Sequence, residues 1–279
     1  MSSIYMRFPN GAAKALTLSY DDGVEQDIRL MKILDKNGIK CTFNINTGLF
    51  AKEGTVYPEG QVHRRMTEKQ VVELYSGSGH EVAVHALTHP WLEQLPEAAV
   101  TKEVSEDRAN IEKLFGKITR GMAYPFGTYS DSVVKCLEAC GIVYSRTTRA
   151  TEDFRIPHDW LRLQPTCHHG CPRLSELADK FVNETPNRSP WLFYLWGHSY
   201  EFDGDNNWEL IENFAGKVGN KSDIWYAVNI DIYDYVKAYE SIVFTSDLSM
   251  AYNPSALNVW FAKDSKIYKI QSGETIKII

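Results

Sequence analysis

Short apolar runs alternate along this chain with amphipathic stretches. The first run, Ala15-Leu16-Thr17-Leu18, reads as a buried strand and leads into Ser19-Tyr20-Asp21-Asp22-Gly23. Residues 26–37 then set Ile28, Met31, Ile33 and Leu34 on one side of a helix that Gly38 stops. The same succession of strand, polar turn and helix recurs. Further strands are expected at 41–45, 81–84, 121–123, 142–145, 191–196 and 225–228. Helices are expected at 67–76, where Thr67 and Gln70 match a capping box, and at 96–115, 130–140, 174–183, 207–218 and 232–241. Residues 46–66 and 146–170 read as irregular. After residue 241 the pattern changes to short strands at 242–244, 259–261, 266–270 and 275–278, with turns between them.

Strands that alternate with helices imply parallel βαβ units. The expected fold is α/β, a distorted parallel (β/α) barrel of about seven strands over residues 1–241. A small β-rich extension over residues 242–279 follows it, and covering one end of the barrel is its plainest role. In such a barrel all strands point their C-terminal ends to one face. Asp21-Asp22, His85, Phe126-Gly127 and His198 each follow a strand, so four distant positions should meet on one rim.

Composition narrows the partners. The chain has 279 residues, 43% hydrophobic and 24% charged, with 30 basic and 36 acidic residues and a formal net charge of -6. No long basic run favours nucleic acid. No apolar stretch has the length of a membrane span, and residues 1–11 lack the apolar core of a signal peptide. The expected compartment is the cytoplasm, with a leader removed before residue 1 as the alternative. Five cysteines, an odd count, favour reduced thiols. Cys136 and Cys140 read as helix packing. Cys167-His168-His169-Gly170-Cys171 is either a metal clip or, by its unusual spacing, a structural loop.

The candidate chemistry lies at the rim. His85 and His89 are four apart, and on a helical turn they would share one side at metal-ligand spacing. Ala86 stands where a zinc protease carries its base, so Asp21 or Asp22 must supply one. An ordinary Asp-Gly turn is the bland alternative for that pair. Two histidines and one aspartate make an open, catalytic type of metal site, with one divalent ion per chain. Zinc is the default ion; cobalt, nickel and manganese are the alternatives. Such an ion makes hydroxide available near neutral pH, and a carboxylate at its side suits amide or ester hydrolysis.

At these residues the chain resembles the polysaccharide deacetylase family, the NodB-homology fold or carbohydrate esterase family four. Ser19-Tyr20-Asp21-Asp22-Gly23 resembles its Thr-Phe-Asp-Asp-Gly motif, and His85 to His89 its His-Ser/Thr-x-x-His motif. Tyr124-Pro125-Phe126-Gly127 matches the end of its Arg-Pro-Pro-Tyr-Gly motif, and Leu195 to His198 its late Leu-x-x-His motif. The resemblance implies that Asp21 is the general base and that Asp22, His85 and His89 bind the metal. It also implies that the Phe126 amide holds the oxyanion and that His198 is the general acid. The family's motif arginine falls at Ala123, so Arg146 or Arg162 must replace it beside Asp21. A carboxylate from Glu201, Asp203, Asp153 or Asp159 should back His198. Trp91 and Tyr124 are candidates to line the substrate.

The implied activity is removal of N- or O-acetyl groups from a sugar or polysaccharide, and the implied partner is an acetylated carbohydrate. Two other readings stay open: hydrolysis of a non-sugar amide or cyclic ureide on the same fold, and a non-catalytic glycan-binding module.

Overall fold

The structure, a computed structural model, describes residues 3–278. Its strands in chain order are β1 (Ile4–Arg7), β2 (Lys14–Asp21), β3 (Cys41–Ile45), β4 (Glu81–Val84), β5 (Gly121–Ala123), β6 (Tyr144–Arg146), β7 (Cys167–His168), β8 (Trp191–Gly197) and β9 (Ile224–Tyr226). Then follow β10 (Val243–Phe244), β11 (Met250–Tyr252), β12 (Val259–Lys263), β13 (Lys266–Ile270) and β14 (Thr275–Lys277). The helices are α1 (Asp27–Lys36), α2 (Glu68–Tyr75), α3 (Glu97–Phe115), α4 (Asp131–Ala139), α5 (Leu174–Asn183), α6 (Tyr200–Gly204), α7 (Glu209–Val218) and α8 (Asn229–Glu240).

The parallel sheet runs β6-β5-β4-β3-β2-β8-β7 and curls into a distorted (β/α) barrel, as the alternation predicts. Strand β2 is its longest member. Along one edge it pairs with β8 from Lys14 to Tyr20. Along the other it pairs with β9 at Lys14–Leu16 and with β3 at Leu18–Asp21, so β9 fills the gap where β3 diverges. Between β6 and β7 the sheet is closed by one segment. Leu163 bonds to Ser145 and Thr147 on the β6 side, while Thr166 bonds to Tyr194 of β8.

Alternation divides β2 cleanly. Leu16, Leu18 and Tyr20 point outward and are fully buried under the helices, with Phe43 and Ile45 beside them. Each such side chain contributes roughly 1.5–3 kcal/mol by leaving water. Thr17, Ser19 and Asp21 point inward and join a polar column. Thr17 donates to Asn229 (2.8 Å), Asn229 donates to the Tyr194 hydroxyl (2.7 Å), and Asn44 donates to Ser19 and Asp21 (2.8 Å each). A residue sequence that looks half-polar therefore remains a central strand, because the barrel interior supplies partners for every second side chain.

Several elements escape the sequence pattern. β1 was not anticipated, and it pairs with β12, so the C-terminal β region is built together with the N-terminus. β11, β7 and the short α6 were also missed. The antiparallel strands after residue 241 form two three-stranded sheets, β1-β12-β13 and β10-β11-β14. Residues 1, 2 and 279 of the anticipated units lie outside the described residues. Among the described residues, no helix is long and apolar enough to cross a membrane.

The lower end of the polar column holds a half-buried acid. Glu81 accepts from Thr42 (2.8 Å), Tyr144 (2.8 Å) and the Ile230 amide (3.0 Å), yet burial pushes its carboxyl up to about 7. The unfolded chain releases this proton near the ordinary carboxylate range, and the folded chain holds it until about pH 7. Stability from this group therefore falls as pH rises through that window, by roughly 1.4 kcal/mol per unit. Glu81→Gln should gain in Tm relative to the parent between pH 5 and pH 8. A difference that does not change with pH would contradict a protonated Glu81.

Candidate active site

The C-terminal end of β2 begins the site. Asp21 is 2% exposed and faces the barrel interior. Arg146, itself fully buried at the end of β6, donates to its Oδ2. The guanidinium lies over the Trp196 ring, 4.4 Å from its centre. Burial alone would push the Asp21 carboxyl up, but Arg146, His85 and His198 together hold it below its usual range. Asp22 then turns the chain. Its amide donates to Asn44 O (2.9 Å) and its φ is 87°, which aims its carboxylate away from Asp21 and toward β4.

His85 leaves the end of β4 with its amide bonded to Ile45 O and to the Asp107 carboxylate, 3.1 Å each. Its Nδ1 donates to Ala123 O (2.8 Å), so its Nε2 carries the free lone pair. His85 and His89 do not share a helical turn. Ala86 and His89 both have left-handed backbone (φ 62° and 56°), and Pro90 removes the amide that a helix would need next. This tight turn brings the two rings 4.8 Å apart. Asp22 Oδ1 lies 3.9 Å from His85 Nε2 and 4.0 Å from His89 Nε2. One oxygen and two nitrogens thus lie within 4.8 Å of one another, a donor set that fits a divalent cation. Burial pushes His85 down to about 4 and His89 below its usual value, so both rings are neutral, as ligation requires.

His198 follows β8 on the same rim. Its Nε2 is 3.8 Å from Asp21 Oδ2, and His85 Nε2 is 3.9 Å from that same oxygen. Its Nδ1 lies 3.2 Å from Glu201 Oε1. Glu201 is one of the four acids anticipated there, delivered three residues later by α6. Burial would lower the His198 pKa, but Glu201 and Asp21 raise it above the ordinary histidine value.

Comparisons with known proteins bear on the family and the fold. Residues 9–145 match the sequence profile of the polysaccharide deacetylase family. Over that stretch, just under half of its length, the chain carries the family's sequence profile. A chitin deacetylase from Pestalotiopsis sp. is 26% identical over 143 residues, which make up 51% of this chain and 43% of that protein. The chain thus spans less than half the length of that relative. Among solved structures, a Mycobacterium smegmatis protein assigned to the polysaccharide deacetylases superposes with a TM-score of 0.57 at 15% identity, covering 86% of this chain and 96% of that one. A Bacillus anthracis pseudoenzyme of carbohydrate esterase family four, in a mutant with restored activity, gives 0.51 at 18% identity over 82% and 70% of the two chains. These two likenesses concern the fold.

Within this polysaccharide deacetylase frame the missing motif arginine has a structural answer. Ala123 and Arg146 are register partners on neighbouring strands β5 and β6. The guanidinium beside Asp21 therefore comes from one strand further on. Arg162 does not take part. It pairs with Asp131 and Asp159 at the surface, 2.6 and 2.9 Å away. Tyr124 does not line the rim either, since it is 1% exposed and its hydroxyl donates to Leu161 O (2.8 Å). Trp91 does reach solvent, stacked 3.8 Å from the Phe126 ring at 5°. Phe126 in turn meets His89 edge-on at 4.6 Å. Of the cysteine clip, Cys167 packs in the core, where burial pushes its thiol up.

Residues that sequence reasoning missed also converge here. From the loop after β3, Arg65 pairs with Asp22 Oδ1 (3.0 Å) and His63 with Asp22 Oδ2 (3.2 Å). Asp107 of α3 clamps both Thr47 and the His85 amide. His168 and His169 both reach Glu201. Nothing in the local sequence marks His63, Arg65 or Asp107, and the clip histidines were marked without their partner Glu201, because each contact joins distant segments.

The Asp21–Arg146 pair makes a direct test. Arg146→Leu leaves a buried carboxylate without its cation, which should cost about 3 kcal/mol or more in denaturant unfolding. Adding Asp21→Asn to that variant should recover part of the loss. Full additivity of the two changes would show that the charges do not depend on each other.

Proposed function

We propose that this chain is a divalent-metal-dependent hydrolase that removes N- or O-acetyl groups from a sugar or polysaccharide. In this reading Asp22, His85 and His89 hold the ion, zinc by default. The ion would supply Lewis acidity to the attacking water and to the acyl oxygen. Asp21 takes the proton from the water, and Arg146 keeps that carboxylate charged until then. The backbone amide of Phe126 donates to the developing oxyanion. His198 gives a proton to the departing nitrogen or oxygen, a step that an amide needs because an amine anion leaves poorly. Trp91, stacked on Phe126, offers a flat apolar face to a neighbouring sugar ring.

One observation carries the reading: a single oxygen of Asp21 faces His85 at 3.9 Å and His198 at 3.8 Å. The base therefore stands between a metal ligand and the acid. Chitin oligomers are the first substrates to try, since a relative is a chitin deacetylase. The reading also treats residues 1–241 as the catalytic barrel, β1 within them joining the C-terminal sheet, and 242–279 as a β extension that covers one end of it.

Purified protein should carry about one divalent ion per chain and release acetate from N-acetylated chito-oligomers. His89→Ala should lose metal and turnover together; full metal content in that variant would remove His89 from the ligand set. Asp21→Asn should keep its metal and lose about 10²-fold or more in kcat. Near-normal turnover would pass the base role to another residue. A metal-loaded protein that opens hydantoin-type rings and leaves every acetylated glycan intact would overturn the sugar assignment.

His198→Ala separates the acid from a mere binding group. Acetamide substrates should suffer far more than activated acetate esters, whose leaving groups depart without a proton. Equal losses on both would show that His198 only holds the substrate.

A further inference from the structure

Behind His198 lies a second cluster that the hydrolytic reading does not use. Glu201 receives three imidazoles. His168 Nε2 and His169 Nε2 each stand 3.0 Å from its Oε2, and His198 Nδ1 stands 3.2 Å from its Oε1. His168, His198 and Glu201 present their ligand atoms within 4.8 Å of one another, so the group resembles a second metal site. The proton positions argue otherwise. His168 Nδ1 accepts from the Gly170 amide (3.1 Å), so its proton resides on Nε2 and points at Glu201. A cation at Nε2 would have to displace that proton and break the Gly170 bond. His169 is fixed in the same sense. Its Nε2 meets the carboxylate, which makes Nδ1 the acceptor for the Tyr20 hydroxyl at 3.2 Å.

The backbone is built for this arrangement. His168 is a register partner of Trp196, and the His169 amide donates to Trp196 O (2.9 Å). His169 is 3% exposed and stacks on Phe202 at 4.3 Å. Gly197 makes room for it: a Cβ there would come within 2.0 Å of His169 Nδ1. The two histidines therefore arrive from β7 with their donors already aimed, and the three imidazoles hold Glu201 well below the usual carboxylate range.

We propose that His168 and His169 are positioning residues that act through Glu201 to hold the His198 ring by its Nδ1–H, so that Nε2, turned toward Asp21, is the position from which the acid proton leaves. The inference rests on the acid role given above to His198. Without them the carboxylate, on a one-turn surface helix, would be held beyond the ring itself only by the His198 amide, 3.4 Å from Oε2. With Oε2 also pinned by the two imidazoles, Oε1 is left for the His198 ring, and its direction is fixed.

The test combines kinetics with a signal that needs no turnover. In zinc-loaded protein, proton–nitrogen correlation spectra should show His198 protonated at Nδ1 with slow exchange. In His168→Ala and His169→Ala that proton should exchange rapidly, and kcat on an acetamide should fall about 10-fold, the lower range for loss of a supporting partner. KM and the rate on an activated acetate ester should stay within about twofold. His168→Gln and His169→Gln, whose amide nitrogens can reach Glu201, should restore the signal and most of kcat. They also guard against an alanine variant that fails to fold. An unchanged His198 signal with an unchanged amide-to-ester ratio would reduce the pair to packing. Binding of two zinc ions that drops to one in His168→Ala would make the cluster a metal site and overturn the proposal. If His198→Ala harmed amides and esters equally, the acid role would fall, while the tautomer signal would still decide whether the histidines fix the ring.

Discussion

The buried pair of Asp21 and Arg146 is the constraint on which the site depends. Both side chains are out of water, and a buried charge persists only with a partner. The pair crosses the top of the barrel from β2 to β6, and Trp196 of β8 lies against the guanidinium. The far strand β6 is thereby tied to β2 and its neighbour β8 around one carboxylate. The same contact also sets the chemistry. Arg146 outweighs the burial that would protonate Asp21, so the group facing His85 and His198 is an anion. Stability and reactivity are here one interaction seen from two sides.

The outer faces of the strands explain why that arrangement is affordable. Leu16, Leu18, Tyr20, Phe43 and Ile45 anchor β2 and β3 under the helices, leaving the inner faces to polar groups. The column from Glu81 through Thr42, Asn229, Tyr194, Ser19 and Asn44 to Asp21 is hydrogen-bonded at nearly each step. Such a network penalises displacement of any one member, because the others would lose partners in a place that water does not reach.

Much of this was legible in the sequence, and the limits have physical causes. Strand and helix periods exposed the barrel, and the polar groups just after strands exposed the rim, because both signals are local. The carboxylate behind His198 was also local, three residues away on α6. The arginine beside Asp21 was narrowed only to two residues, since its choice depends on β5–β6 register, which no local pattern encodes. The histidine pair was read as sharing a helical turn, whereas Pro90 and two left-handed residues make a tighter one. His63, Arg65, Asp107 and the contact of His168 and His169 with Glu201 stayed hidden for the same reason as the arginine: each is a meeting of distant segments. β1 was missed because its partner, β12, lies about 250 residues later and four residues alone carry too little pattern.

The backbone adds a last step. Asp22, Ala86, His89 and Phe126 all have positive φ without being glycine, between 56° and 87°. Three of them carry or flank the candidate ligands, and Phe126 touches His89. Such conformations cost of order 1–3 kcal/mol each and persist only where the surroundings over-determine them. Here the surroundings do. Asn44 receives the Asp22 amide, Asn46 donates to the carbonyls of His85 and Ala86, and Arg65 bonds both Asn46 (2.7 Å) and Asp22. The turns that aim Asp22, His85 and His89 at one point are thus held from outside by a backbone carbonyl of β3 and by side chains of the residue just after it and of the loop that follows. A relaxed backbone at any of the three would point its side chain elsewhere, so convergence of the donor set is a property of the whole rim and not of the two motifs alone.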